Sequence, residues 1–295
     1  MANINGPGTL FKILVESDTS AQNGHGLPAD FRGIYQGDWI FPNVGSDKPY
    51  VYTNFVISHD GRISFSAPGA SNGAAISHSN PNDLWLMGLL RARADAVLVG
   101  DNSIRLESNY TPLAGDIFPK DERAFKELRS HEGRREEGLL IVLSLDGNLP
   151  RDGALFTEAG KEFRTLIATT PHGAAKLAQS GIEATYDVVV LGDEEEAVDL
   201  KALMGLLRRE YSIETLLCEG GAHVYGALIR DGLVDDEFLT VAPLVIGAGQ
   251  QAYRPSLVEG VSFMPDNHPT LHLVSLRSAG DYLFMRSTYA RGPAL

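Results

Sequence analysis

Four short polar clusters carry the residue types that do chemistry, and each stands at the end of an apolar run. Glu219-Gly220-Gly221 separates the run 213–218 from an amphipathic stretch over 222–230. Two glycines let a backbone approach a ligand closely. The start of a helix offers unpaired N–H groups to an anion. The chemistry suggested is the holding of a phosphate, with the Glu219 carboxylate beside it; a plain strand-to-helix turn reads the same way. Gly100-Asp101-Asn102-Ser103-Ile104-Arg105 follows the run 95–100 and supplies a glycine, a hydroxyl and a guanidinium. Thr169-Thr170 closes the run 165–169 and sets two hydroxyls where a ribose or its 2′-phosphate would meet them. Ser58-His59-Asp60-Gly61 closes the run 51–57. Its Ser, His and Asp are too close in sequence to form a catalytic triad, and Asp-Gly is turn chemistry. The alternative is a carboxylate presented at a strand end. Ligands of open α/β sheets bind outside the carboxyl ends of the strands, so clusters of this kind converge on one cleft when their strands are parallel neighbours.

Other patterns carry less. Gly247-Ala248-Gly249-Gln250-Gln251-Ala252 matches the dinucleotide fingerprint, but Pro255 follows and no helical pattern does. Without a helix N-terminus the glycines have no dipole to lend a pyrophosphate, and the segment reads as a loop. His268 and His272 are separated by Pro269, which removes the helix that would align them on a metal. The single cysteine, Cys218, excludes an internal disulfide and a cysteine-based zinc site. No metal site is expected.

The elements that must position these clusters alternate. Strands are expected at 51–57, 95–100, 139–143, 165–169, 187–191 and 213–218. Helices are expected at 81–94, 121–131, 173–179, 197–211 and 222–230, the first capped by Asn80 with Pro81 following. The acidic stretch 193–196 reads as a solvated loop. A long strand over 235–246 contains Pro243, which predicts an edge position or a bulge. A closing hairpin joins 271–276 to 282–288 across Ala279-Gly280. Alternation followed by two terminal strands predicts one α/β domain with a mostly parallel sheet and an antiparallel end. Residues 1–48 are rich in Gly, Asn, Asp and Ser and read as an N-terminal extension without a clear fold of its own, before a domain at 49–292. Its apolar spots pack on the main domain or on a second subunit.

The 295 residues include 25 Lys+Arg against 38 Asp+Glu, a net charge of −13. An acidic chain argues against a nucleic-acid partner, which requires a basic face. No apolar run reaches the roughly 18 residues of a membrane span, and the first residues lack the pattern of a signal peptide. A cytoplasmic protein acting on a small molecule is the expectation.

Three stretches in order resemble the reductase domain of the bifunctional, RibD-type deaminase/reductase of riboflavin biosynthesis, which shares its fold with dihydrofolate reductase. They are Pro49 to Ser64, Leu89 to Arg105, and Ile213 to Gly249, the most specific of the three. The zinc deaminase half of that protein is absent. The resemblance implies a dihydrofolate reductase-like three-layer α/β fold with a mostly parallel central sheet and an antiparallel C-terminal hairpin. It implies NADPH-dependent reduction of 5-amino-6-(5-phosphoribosylamino)uracil, with hydride delivered to C1′ of the ring-opened ribosyl group. It places Gly100, Ser103, Thr169, Thr170, Gly220 and Gly221 on the cofactor. It places Asn54, Ser58 and Glu107 on the substrate, with Asp60 and Glu219 as proton source or relay. It also implies a homodimer, to which Tyr35, Trp39 and Phe41 would add contact. The stretch Glu107-Ser108-Asn109 departs from the family's Asp-Asp-Pro, and the arginine that follows in the family has no match; Arg105 is the candidate to replace its charge. The departure keeps two alternatives open: a pterin or dihydrofolate-like substrate on the same fold, and a non-catalytic NADP(H)-binding protein.

Overall fold

The computed structural model describes residues 3–290 except 18–23, 44, 68, 71–72, 108, 137, 151–154, 156–162, 182–185, 193–196 and 250–252. The expected acidic loop 193–196 therefore lies outside the described residues. In chain order the elements begin with β1 (Lys12–Glu16), β2 (Gly24–His25), α1 (Ala29–Tyr35), β3 (Phe41–Pro42), β4 (Tyr50–Ser58), α2 (Gly73–Ser77) and α3 (Pro81–Ala92). There follow β5 (Ala96–Gly100), α4 (Asp101–Leu106), α5 (Ala114–Ile117), α6 (Glu122–His131), β6 (Leu139–Ser144), β7 (Arg164–Thr169), α7 (Pro171–Ser180) and β8 (Asp187–Val190). The chain closes with α8 (Leu200–Arg209), β9 (Thr215–Cys218), α9 (Ala222–Arg230), β10 (Asp236–Ala242), β11 (Leu271–Ala279) and β12 (Tyr282–Tyr289).

Ten strands make one sheet in the order β1-β11-β12-β10-β4-β9-β5-β6-β7-β8. From β10 to β8 every neighbour is parallel, and β12, β11 and β1 add an antiparallel flank. Helices cover both faces, which is why the central strands read as unbroken apolar runs. On β5, Val97 and Val99 join the core beneath α3 and α6, whereas Ala96 and Leu98 join the core beneath α8 and α9. β4 divides likewise, with Tyr50 and Tyr52 on the α3 side and Val51 and Phe55 on the α9 side. Asn80 caps α3 as expected, its side chain accepting from the N–H groups of Asn82 and Asp83.

Three expectations are corrected. β10 stops at Ala242, one residue before Pro243, and lies inside the sheet between β12 and β4. Pro243 has no N–H to give the ladder, so it ends a central strand and does not mark an edge. The hairpin turn is Gly280-Asp281, between the paired Ala279 and Tyr282, with Gly280 at φ +58°. Tyr35, Trp39 and Phe41 are core residues, unavailable to a second subunit. Trp39 is 1% exposed, and its ring lies 4.7 Å from Phe238 and 5.0 Å from Tyr52. The Arg93 guanidinium stands over the Trp39 and Phe41 rings at 4.7 and 4.2 Å and donates to the Glu132 carboxylate and the carbonyls of Trp39 and His25. Residues preceding β4 thus complete one face of the core, and β1 extends the sheet.

Candidate active site at the carboxyl ends of the parallel strands

Parallel pairing brings the carboxyl ends of β10, β4, β9, β5, β6 and β7 to one side of the sheet, and the polar clusters follow them. Gly100 and Gly220 end adjacent strands and nearly touch. A Cβ on Gly220 would lie 3.2 Å from the Gly100 nitrogen and 3.0 Å from Val224 Cγ1; one on Gly100 would lie 3.1 Å from Val224 Cγ2. Gly221 is the N-cap of α9 and gives it no side-chain cap, while a Cβ there would meet nothing within 4 Å. The helix start therefore faces open space with its first-turn N–H groups uncovered by any side chain. Ser103 lies in the first turn of α4, which starts directly after Gly100.

The threonines are turned inward, which corrects their expected place on a cofactor. Thr170 caps α7, its Oγ1 accepting from the Gly173 N–H at 3.1 Å and donating to the Leu145 carbonyl at 2.7 Å. Thr169 is fully buried against Gly173. Capping accounts for one hydroxyl and packing encloses the other. Arg105 is likewise committed, donating to Asp101 at 3.0 Å and to the Asn148 carbonyl at 2.9 Å. Asp101 also accepts from the Ser144 hydroxyl at 2.8 Å. Arg105 thus braces the loops after β5 and β6 and is not an unpaired cation for a phosphate.

Asp60 is an acceptor, not an acid. Its carboxylate takes the N–H groups of Ile246 at 2.9 Å and Gly247 at 2.7 Å, and the Ser58 hydroxyl at 2.7 Å. These bonds, the one from Ile246 foremost, hold its pKa well below the usual carboxylate range. It is ionised at neutral pH, against the expectation of a proton source. Ser58 Oγ also accepts from the Arg62 N–H, and the His59 N–H donates to the Leu244 carbonyl. Asp60 and its neighbours therefore zip the loop after β4 to the loop after β10. Asn keeps one acceptor but cannot serve both N–H groups, so Asp60→Asn should raise KM about fivefold at nearly constant kcat, one net hydrogen bond being at stake. A hundredfold fall in kcat in steady-state assays would instead make Asp60 the proton source.

Glu219 sits in a buried ion pair that the sequence reading missed. Arg91 of α3 donates Nε to its two oxygens at 3.0 and 3.1 Å and Nη2 at 2.7 Å, and the Tyr110 hydroxyl donates at 3.1 Å. A third Arg91 nitrogen donates to the Thr111 carbonyl. Glu107, at the end of α4, bears on the same group: burial pushes its carboxyl up, Arg91 pulls it down, and Glu219 pushes it further up. Arg91 thus bears on both carboxylates, hydrogen-bonded to Glu219 and acting electrostatically on Glu107. One signal for Arg91 was available: it is the single charged residue in the apolar stretch Leu84 to Ala92, and a buried charge demands a partner.

Two further arginines were missed. Arg62 and Arg254 lie on the zipped loops, Arg62 donating to the Arg254 carbonyl at 3.1 Å and Arg254 to that of Ile246. The Nε of each is buried without a partner, and neither forms an ion pair among the described residues. Asn54 faces the α3 side from β4, 8% exposed. Cys218 is inert, its thiol pushed up to about 12 by burial. Among the described residues no group of three or more His, Cys, Asp or Glu could hold a metal. The fingerprint at 247–252 lies partly outside the described residues; Gly247 takes φ +70° in the loop held by Asp60.

A mostly parallel sheet between two helical layers, with an antiparallel C-terminal flank, is the dihydrofolate reductase-like fold expected from the sequence. The fold is similar to that of a pyrimidine reductase-like protein from Corynebacterium diphtheriae, with TM-score 0.65, 23% identity, and 83% of this chain and 94% of that one covered. Residues 49–283 match the RibD C-terminal domain, and the chain belongs to that family. It is 27% identical over 218 residues, 74% of this chain and 89% of the relative, to the 2,5-diamino-6-ribosylamino-4(3H)-pyrimidinone 5′-phosphate reductase of Archaeoglobus fulgidus. It is 26% identical over 249 residues, 84% of this chain and 95% of the relative, to the protein of the same name from Aquifex aeolicus.

Proposed function

We propose that the chain is an NADPH-dependent reductase of a phosphorylated ribosylaminopyrimidine in riboflavin biosynthesis. The observation that carries this reading is the apposition of Gly100 and Gly220 beside the uncapped start of α9, on the strand ends next to the Arg91–Glu219–Glu107 group. The donor set fits a dinucleotide. Gly100, Gly220 and Gly221 leave room for a pyrophosphate against the N–H groups of α9, and Ser103 adds a hydroxyl nearby. A bound nicotinamide supplies the hydride. Among the described residues no helix is long and apolar enough to cross a membrane.

The chain's own residues then have separate tasks. Arg62 and Arg254 hold the substrate phosphate, the role assigned from sequence to Arg105. Ser58 and Asp60 keep their loops in register. Asn54 and Glu219 face the sugar. Opening of the ribosyl ring puts a proton on O4′ and leaves a C1′–N double bond; hydride at C1′ then yields the ribitylamino product. Glu107 holds the proton for this step. With its raised pKa, Glu107 acts as the acid below that value, so kcat/KM should fall as pH rises through it. Glu107→Gln should remove that limb of the pH profile; a profile unchanged by the substitution assigns the proton elsewhere.

NADPH oxidation followed with the diaminopyrimidinone phosphate, its deaminated uracil counterpart and dihydrofolate tests the function. Turnover of either phosphate is expected. Bound NADPH with turnover of dihydrofolate alone would overturn the reading. A homodimer is part of the proposal, supported by the antiparallel flank. There Val15, paired with Leu276 across β1 and β11, is exposed together with Leu273 and Leu283. Light scattering should give twice the chain mass, and a monomer at working concentration would refute it.

A further inference from the structure

At the amino ends of the same parallel strands, across the sheet from the glycines, the protein holds a cavity of about 640 Å³. Asp95 precedes β5, Leu139, Arg164 and Thr215 begin β6, β7 and β9, and all four line it. Its volume is that of a small-molecule site, roughly 300–1,000 Å³. Its wall also carries Arg129, Arg134, Arg135, His25 and His131, in a chain whose net charge is −13. Three carboxylates share the lining, and each is engaged. Asp95 accepts from Arg134 at 2.7 Å and from the N–H groups of Glu214 and Thr215, both at 2.9 Å. Glu132 divides between Arg93 at 2.7 Å and Arg134 at 2.9 Å. Glu214 is exposed and meets Arg208 at 3.5 Å. The cations are not matched in the same way. Arg129 is 7% exposed and donates only to carbonyls, those of Arg91, Ala92 and Ala94 at the end of α3 and that of Arg135. Carbonyls carry partial charges, so this buried guanidinium lacks a full counter-charge. Among the described residues, Arg134 Nη2 makes no hydrogen bond, and the exposed Arg135 side chain forms no ion pair.

The end of α6 accounts for Arg129 and His131, since cations suit a helix C-terminus. It does not account for Arg134 and Arg135 of the following loop, or for Arg164 at the start of β7. Arg164 meets Asp187 only at 3.6 Å, with both side chains about half exposed, so little of its charge is spent there. Like charges gathered in one hollow repel until an anion enters. Burial and then the Arg134 charge pull the Arg129 pKa down, which shows that the repulsion is felt. Guanidinium forks match phosphate oxygens, two N–H groups to two oxygens. A lone phosphate would fill only part of the space, and the half-buried Tyr211 adds an aromatic ring to the wall. We propose that this cavity binds a phosphorylated, ring-bearing small molecule of the nucleoside diphosphate class. Its phosphates lie on Arg134 and Arg135 and its ring stacks on Tyr211. The site stands at the opposite strand ends from the glycine cleft and does not depend on the reductase reading.

Calorimetric titration of the full chain with ADP, inorganic pyrophosphate and adenosine tests the site, with NADPH in excess so that the glycine cleft is filled. ADP and pyrophosphate should bind, and adenosine should not. Arg135→Ala should weaken both anions by about 10- to 100-fold, the range for hydrogen bonds to a charged group. The Arg135 side chain makes no hydrogen bond among the described residues, so the variant should fold as the wild type does, which thermal unfolding checks. Tyr211→Leu should weaken ADP about tenfold, as the loss of one stacked base requires, and leave pyrophosphate unchanged. No binding of ADP or pyrophosphate, or affinities unchanged in Arg135→Ala, would overturn the site. ADP binding unchanged in Tyr211→Leu would overturn the ring contact. Adenosine binding as tightly as ADP in the wild type would overturn the phosphate contacts without recourse to a variant. Should NADPH itself fail to bind, the reductase reading falls, while the response to Arg135→Ala still decides this one.

Discussion

Arg91→Met should remove about 3–5 kcal/mol of folding stability, the cost of leaving a buried carboxylate without its counter-charge. Arg91 and Glu219 are both buried, and the guanidinium meets the carboxylate through two nitrogens while a third reaches the Thr111 carbonyl. Methionine fills much of the same space, so the loss is electrostatic and not a cavity. Glu219 would keep only the Tyr110 hydroxyl, with Glu107 adding like charge nearby. Urea unfolding monitored by tryptophan fluorescence reads the effect, and a change under about 1 kcal/mol would mean that water already reaches the pair. The double variant Arg91→Met/Glu219→Gln should regain a large part of the loss, because the buried charge goes with its partner.

The second large effect separates two neighbouring glycines. Gly221→Ala should fold normally, since φ at Gly221 is −60° and a Cβ there meets nothing within 4 Å. Yet the methyl would stand at the start of α9, where the pyrophosphate is proposed to lie. The dissociation constant for NADPH should rise about 10- to 100-fold, as an overpacked contact of 1–3 kcal/mol requires. Gly220→Ala should behave differently. Its methyl would press on Val224 and the Gly100 nitrogen in the protein alone, so stability should fall by about 1–3 kcal/mol together with affinity. Fluorescence titration with NADPH and thermal unfolding of both variants give the comparison. Unchanged affinity in Gly221→Ala would move the cofactor away from this helix.

Much of the fold was legible because its signals are local. Strands buried on both faces are unbroken apolar runs, Asn80-Pro81 starts a helix by its own chemistry, and glycine at a strand end marks a close approach. The site was legible only as a set of positions. The roles of those positions depend on partners distant in sequence. Asp60 looked like an acid because the N–H groups that fix its charge come from Ile246 and Gly247. Glu219 looked unpaired because Arg91 lies on another helix. Thr170 looked like a ribose contact because a helix cap and a ligand contact require the same hydroxyl.

Kinship and packing draw different borders on this chain. The family match starts at residue 49, but the rings of Phe11, Phe31, Tyr35, Trp39 and Phe41 belong to the same core as Tyr52, Trp85 and Phe238. A gene trimmed to the family border would leave that face of the core open to water and Arg93 without its two carbonyl acceptors. Such a product should unfold at a lower temperature than the whole chain, a difference that thermal unfolding reads. Any inventory of relatives built on the shared segment alone would leave out residues from which this protein's core is built.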